Sequence, residues 1–394
     1  MVHRAAQSVP LALLRLAGQL CVEKIARPQA IAAGDVPVSV EAIQPRWLTA
    51  VLAGNNPGAE VRALRIERAS SGTHARHRLH LDWNDEGRGR GLPATIFTKS
   101  LPTLVTRMVA GFNGHARIEG RFYTQLRPEL AIEAPTCYHS CYDRRNFSGI
   151  HLLEDLVATK GATFCDHTTA VSQSMAEDMV DLLARLHGHF YASPRLAAEL
   201  RWLADFPTWF TIGAEKMRTE HYTEKACLVA ADLMPADLLA RRTEIWPAVM
   251  RALDLHRALP ATLIHSDVHI GNWYQTNAGH MGLCDWQCPS KGHWSRDFAY
   301  AVTAALEPHD RRLWERELLR RYLGRLQEIC GARTSLDDAW TWYRQQIFQA
   351  FTMWTITLCH SPLLPSMQPE PMTLAMIARI ATALSDLDCL DSFD

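Results

Sequence analysis

The chain has 394 residues, 47% of them hydrophobic and 21% charged, with 41 basic against 42 acidic side chains and a formal net charge of −1. Such values describe an ordinary globular protein with room for about two or three domains, each with its own core. Charge this balanced excludes the basic footprint of a nucleic-acid or membrane-surface binder, and no apolar run approaches the ~20 residues needed to span a bilayer.

Val9 to Leu20 is apolar enough to suggest a leader, but Arg15 interrupts it and no small-residue cleavage site follows. Leu11, Leu13, Leu14, Leu16 and Leu20 instead suit an amphipathic helix. Residues 61–66 alternate as a half-buried strand and Arg76 to Trp83 alternate again, with Ala69-Ser70-Ser71-Gly72-Thr73 as a small-residue turn between them. After a polar stretch rich in Gly and Arg (85–91), Ala94 to Lys99 is a β-rich run ending in a lysine. Glu119 opens a helical stretch through Leu126, and His151 to Leu156 is an apolar strand ending in two acids.

From residue 168 the texture is helical. Met175, Met179, Leu182, Leu183, Leu186 and Phe190 form a core-facing stripe over Ser172 to Tyr191, and His187 reads as a packed helix histidine. Asp297 stands near the positive N-terminus of a helix over 298–306. The aromatics Trp202, Phe206, Trp209 and Phe210, and the second set Trp340 to Trp354, read mainly as helix packing. Pro362, Pro365, Pro369 and Pro371 mark a loop between C-terminal helices, and no internal repeat is present. Ten cysteines lie without a spacing ladder. The pairs Cys137/Cys141 and Cys284/Cys288 belong to no four-ligand pattern, so free thiols in a cytoplasmic protein are expected, with no structural zinc.

The chemistry concentrates between residues 265 and 285, which contain His265-Ser-Asp267-Val-His269-Ile-Gly271-Asn272 and then Cys284-Asp285-Trp286-Gln287. Ala261 to Ile264 reads as a buried strand delivering His265 to a loop from Asp267 to Asn272, with Gly271 permitting the turn before the amide. Trp273 and Tyr274, the turn Thr276–Gly279, and Met281 to Cys284 read as a hairpin that brings Asn272 and Asp285 side by side. A phosphoryl-transfer site needs this set: one carboxylate (Asp267) to take the proton of an attacking hydroxyl, and an amide and a second carboxylate (Asn272, Asp285) to hold Mg2+. His-Ser-Asp as a hydrolase triad is the weaker reading, because adjacent residues rarely face one another and no G-x-S-x-G elbow exists. Metal ligation by His265 and His269 presumes a helix that Gly271 and the flanking strands argue against.

This stretch resembles the catalytic segment of the aminoglycoside/choline kinase-like superfamily, whose pattern is H-G-D-x-H-x-x-N followed by D-F/W-E/Q. The Asp-Trp-Gln form, with Gly292-His293-Trp294-Ser295-Arg296-Asp297 after it, is most similar to the ecdysteroid kinase-like branch. Ser266 departs from the family's glycine. The resemblance implies an α+β, two-lobed protein-kinase-like fold, with a small β-rich N-lobe carrying a helix and a larger, mainly helical C-lobe. Residues 1–155 would be the nucleotide-binding lobe, with a helical extension at the N-terminus and a hinge at about 151–157. Residues 158–394 would be the catalytic and substrate-binding lobe.

The resemblance also implies ATP as donor and further site residues. Lys99 would pair the α/β-phosphates, Glu119 of the E-x-x-F-Y motif would hold Lys99, and amides near Ser71, Gly72 and Thr73 would cover the phosphates. Backbone groups at Glu154 and Leu156 would meet adenine, and Asp297 would support the catalytic loop. The acceptor would be a small-molecule alcohol. Six arginines at 311–325 and no acid at 340–360 speak against a polycation and for a neutral or partly apolar alcohol: a sterol, terpenoid, hydroxy-acyl compound or xenobiotic. The alternatives are an aminoglycoside-type antibiotic phosphotransferase and an inactive nucleotide-binding module. Nothing in these patterns specifies the oligomeric state.

Overall fold

A computed structural model of the protein describes residues 9–71, 75–361 and 366–393. The chain forms two compact units: residues up to Glu129 together with Pro135–Gly161, and Leu130–Ala134 together with Ala162 onward.

The first unit opens with α1 (Val9–Ala26) and α2 (Pro45–Leu52), where Pro45 presets the first helical φ and removes no intrahelical donor. Then come β1 (Val61–Ser71), β2 (Ala75–Trp83), α3 (Asp85–Gly89), β3 (Thr95–Ser100), α4 (Leu104–Asn113) and α5 (His115–Arg121). β4 (Cys137–Tyr142), β5 (Gly149–Glu154) and α6 (Leu156–Lys160) complete it. The strands make one antiparallel sheet in the order β1-β2-β3-β5-β4. Leu79, Leu81, Ile96, Ile150 and Leu152 pack on one face against Trp47 and Leu48 of α2. Each such fully buried side chain contributes about 1.5–3 kcal/mol. Strand alternation sends Ile96 and Lys99 to opposite faces, so Lys99 points away from this core. α1 is tied down by the buried Arg107 of α4, which donates to Glu23 (3.0 Å) and to the carbonyls of Val38 and Leu101 (2.9 and 2.8 Å).

Two local expectations change here, and one polar stretch gains an element. β1 runs on through Ser71, paired with Ala75, so Ala69 to Ser71 are strand rather than turn; Gly72 and Thr73 lie outside the described residues. Residues 85–89 form a helical turn, because Asn84 accepts the N–H of Gly87 (3.0 Å) and caps it. α5 begins at His115, after Gly114 takes a left-handed φ of 70°, so Glu119 lies inside the helix rather than at its opening.

The second unit contains β6 (Thr163–Phe164), α7 (Gln173–Phe190), β7 (Ala204–Asp205), α8 (Phe206–Met217), α9 (Thr219–Val229), α10 (Ala236–Ala240) and α11 (Arg242–Ala258). There follow β8 (Thr262–Ile264), β9 (Trp273–Gln275), β10 (Met281–Leu283) and β11 (Ser290–Gly292). The long helices α12 (Ser295–Ala305), α13 (Pro308–Cys330), α14 (Leu336–Leu358) and α15 (Glu370–Asp386) end the chain. Leu182, Leu183 and Leu186 of α7 are buried, as are Leu318, Leu319 and Tyr322 of the adjoining α13. α14 packs between α12 and α15 and buries Ile347, Phe348 and Phe351. Two small sheets, ordered β10-β9-β6 and β7-β11-β8, carry the loops that hold the candidate site.

Candidate active site

β8 delivers His265, Ser266 and Asp267 to a loop suspended from one buried carboxylate. Asp297, in the first turn of α12, accepts the backbone N–H of His265 (2.6 Å) and of Ser266 (3.1 Å). Burial alone would push the Asp297 carboxyl up. The hydrogen bond and charge of His187, with the charges of Arg296 and His265, hold it below the usual carboxylate range instead. His187 is buried as expected but does more than pack: Nδ1 bonds the Tyr322 hydroxyl (2.8 Å) and Nε2 lies 3.5 Å from Asp297.

His265 is a strut. Its Nδ1 accepts the Asp267 N–H (3.2 Å), which puts the ring hydrogen on Nε2 to donate to the Cys284 carbonyl (3.0 Å). Trp286 meets the ring edge-on at 4.5 Å, and burial keeps the imidazole pKa below its ordinary value. One side chain thereby couples the Asp267 loop to the Asp285 loop. Neither a triad nor a metal role uses both ring nitrogens this way. Periodicity could not reveal the function, because Cys284 becomes a neighbour only through folding.

The backbone strain sits elsewhere than expected. Gly271 has no left-handed φ; a Cβ there would lie 2.7 Å from the terminal methyl of Met372, which can swing aside, and 3.1 Å from the His269 ring, which would have to shift by a few tenths of an ångström. Positive φ falls on Ser266 (71°) and Asp285 (62°). Ser266 thus occupies a backbone conformation that favours the glycine usual in the resembling pattern. Its hydroxyl bonds that of Ser290 on β11 (2.6 Å).

The hairpin pairs Leu283 with Trp273 and continues with Cys284 N–H donating to the Asn272 carbonyl (2.9 Å). Asn272 and Asp285 therefore flank its open end. The Asn272 amide donates from Nδ2 to the Asp267 carbonyl (2.7 Å), an orientation that turns Oδ1 away as an acceptor. Two oxygen donors of this kind suit Mg2+, which takes its remaining oxygens from phosphates and water. Among the described residues no group of three or more His, Cys, Asp and Glu gathers as a metal cage. Tyr274 on β9 of the hairpin donates to Glu133 (2.7 Å), and the Leu283 N–H bonds the Glu133 carbonyl (3.0 Å).

In the first unit, Lys99 Nζ lies 2.7 and 2.9 Å from the two oxygens of Glu119, and both residues are buried. His151 on β5 stands 3.8 Å from the same carboxylate. The Glu154 side chain accepts from Thr159 (2.8 Å) and from Thr136 N–H (3.1 Å), while Asp155 pairs with Arg78 (2.6 Å) and caps α6. Both acids are thus held by the protein itself. Leu156 is the first residue of α6, where an N–H has no intrahelical acceptor. Ser71 ends β1, and its expected partners Gly72 and Thr73 fall outside the described residues.

The six arginines of α13 do not describe a substrate surface. Arg311 and Arg312 pair with Asp386, and Arg311 also with Glu315. Arg320 pairs with Glu317, while Arg321 and Arg325 reach Asp181 and Arg316 covers Trp340 at 4.0 Å. The charge argument against a cationic acceptor therefore loses this support.

A model of the APH phosphotransferase enzyme family matches residues 104–337, more than half of the chain. The chain belongs to that family. It is a phosphotransferase acting on a hydroxyl group of a small molecule, and the family implies ATP use. The enzyme is similar in fold to a proposed aminoglycoside phosphotransferase from Ralstonia eutropha (12% identity, 87% of this chain and 97% of that one, TM-score 0.50). Other similar structures are a choline kinase from Streptococcus pneumoniae (11% identity, 82% and 95% covered, TM-score 0.45) and an ethanolamine kinase from Plasmodium vivax (14%, 82% and 81%, TM-score 0.47). No curated protein sequence matches the enzyme. Its fold is α+β and kinase-like, with a β-rich N-terminal sheet and a larger helical C-terminal part. Among the described residues no helix is long and apolar enough to cross a membrane.

Proposed function

We propose that this phosphotransferase moves the γ-phosphoryl group of ATP, with Mg2+, to a hydroxyl of a neutral or partly apolar alcohol. The reading rests on the loop in which Asp297 holds the amides of His265 and Ser266 just before Asp267, while Asn272 and Asp285 flank the adjoining hairpin. Asp267, whose side chain is 24% exposed, would orient the acceptor hydroxyl and take its proton as the oxygen–phosphorus bond forms and the bond to the β-phosphate oxygen breaks. Asn272 and Asp285 would hold Mg2+, which supplies charge neutralisation at the phosphates. Lys99, steadied by Glu119, would grip the α/β-phosphates, and the amides near Ser71, Gly72 and Thr73 would cover them. The Glu154 carbonyl and the Leu156 N–H would meet adenine. On this assignment residues 1–155 form the nucleotide-binding lobe and 158–394 the catalytic one.

Support for a neutral acceptor is the lack of any acid from Trp340 to Leu358, over most of α14. Tyr300 near Asp267 adds an uncharged hydroxyl, because burial, and then the Asp267 charge, hold its phenol well above the ordinary range. The Asp-Trp-Gln motif favours the ecdysteroid kinase-like branch within the family. A cytoplasmic location fits the free cysteines.

The test is Mg-dependent ATP consumption with a panel of sterols, terpenols, hydroxy-acids, an aminoglycoside and a macrolide, with phosphorylated product identified by mass spectrometry. Asp267→Asn should lower turnover by roughly 10²–10⁴-fold while nucleotide binding persists. Undiminished turnover in that variant would overturn the assignment, and product from the aminoglycoside alone would overturn the acceptor class.

A further inference from the structure

His269 has no part in the mechanism above, yet its surroundings are as constrained as those of any residue in the loop. It is 5% exposed. Its Nδ1 accepts the Gly271 N–H at 3.1 Å. In the neutral ring the hydrogen must then sit on Nε2, and Nε2 faces Asp267 Oδ1 at 3.7 Å. The ring stands edge-on to Trp354 (5.3 Å, 78°) and tilted towards Tyr300 (6.4 Å). A Cβ at position 271 would meet the same ring at 3.1 Å, so Gly271 leaves room for the imidazole and supplies the N–H that selects its tautomer. The Nδ1 contact caps the helical turn Ile270–Asn272 and so fixes the tautomer, but neither the cap nor packing needs Nε2 to face a carboxylate.

We infer that His269 is a positioning residue for Asp267. Its Nε2–H holds one carboxylate oxygen, which leaves the other directed at the acceptor hydroxyl. The separation is long for a direct hydrogen bond, and such contacts commonly tighten only when substrates are bound. Without the N–H, the Asp267 carboxylate can rotate away from the attack line, and errors of this size in a reacting group cost on the order of 10- to 100-fold in rate. The inference rests on the reading of Asp267 as the base.

The experiment compares His269→Phe, which keeps an aromatic edge towards Trp354 but has no N–H, with His269→Gln, whose amide N–H reaches a similar position. Each is made in the wild-type and the Asp267→Asn backgrounds. The probe is the panel alcohol with the highest turnover, at saturating Mg·ATP, with a thermal melt of each variant as a folding control. In the wild-type background His269→Phe should lower kcat on the order of 10- to 100-fold with KM for Mg·ATP unchanged, and His269→Gln should recover most of the loss. In the Asp267→Asn background His269→Phe should cost nothing further, because the group it positions is gone. Equal losses for Phe and Gln, or the same loss in both backgrounds, would overturn the inference in favour of packing. Full turnover in Asp267→Asn alone would instead overturn the base assignment.

Discussion

At Ser266 two opposing effects meet in one residue. A side chain at a φ of 71° costs of order 1–3 kcal/mol relative to glycine, while the Ser266–Ser290 hydrogen bond at 2.6 Å offsets part of that. Glycine and alanine replacements both remove the hydroxyl, but only alanine keeps the Cβ. Ser266→Gly should therefore be more stable than Ser266→Ala by about 1 kcal/mol, read as the difference in denaturation midpoints; equal midpoints would show that the backbone there is unstrained. That Ser266 departs from a glycine position was legible in the sequence. That the position is left-handed, and that a second serine compensates, was not, because Ser290 arrives on a different strand.

Among the elements, the β9–β10 hairpin matters most to the site. Its turn at Thr276–Gly279 and its apolar arms made it readable from local chemistry alone. Gly282 was not: a Cβ there would run into the ring and hydroxyl of Tyr274, which is pinned to Glu133. The buried ring cannot yield cheaply, so Gly282→Ala should destabilise the enzyme by about 1–3 kcal/mol, measured by denaturation, and weaken Mg·ATP binding as Asn272 and Asp285 move apart. Unaltered stability would mean that the hairpin tolerates a displaced Tyr274. The pairing of Lys99 with Glu119 was expected only through the family resemblance, and their separation of 2.7 Å depends on α5 starting four residues before Glu119, at a glycine boundary with no special periodicity.

For the whole molecule, nucleotide binding is linked to stability. A ligand that binds only the folded protein at about 100 times its Kd adds ~2.7 kcal/mol. ATP should raise the melting temperature of the enzyme more with Mg2+ than with EDTA, and Asp285→Ala should erase the Mg-dependent part; a full Mg-dependent shift in that variant would remove Asp285 from the metal site. The α13 arginines belong to this scale too. Counted along the sequence they resembled a basic surface, whereas in the fold they neutralise acids on α7, α13 and α15 or cover Trp340.

Local order in the chain was enough to establish the strand–loop–hairpin frame, the acid–amide–acid spacing of Asp267, Asn272 and Asp285, and the early positions of Lys99 and Glu119. Those features rest on side-chain periodicity and turn chemistry, which act over a few residues. Tertiary structure alone decided which groups hold that frame in place: Asp297 beneath two backbone amides, His265 spanning to Cys284, Glu133 under the hairpin, and His269 facing Asp267. Each contact except the last joins residues at least nineteen apart in sequence. His269 lies only two residues from Asp267, yet its direction is set by the space at Gly271 and the ring of Trp354, which no local pattern encodes.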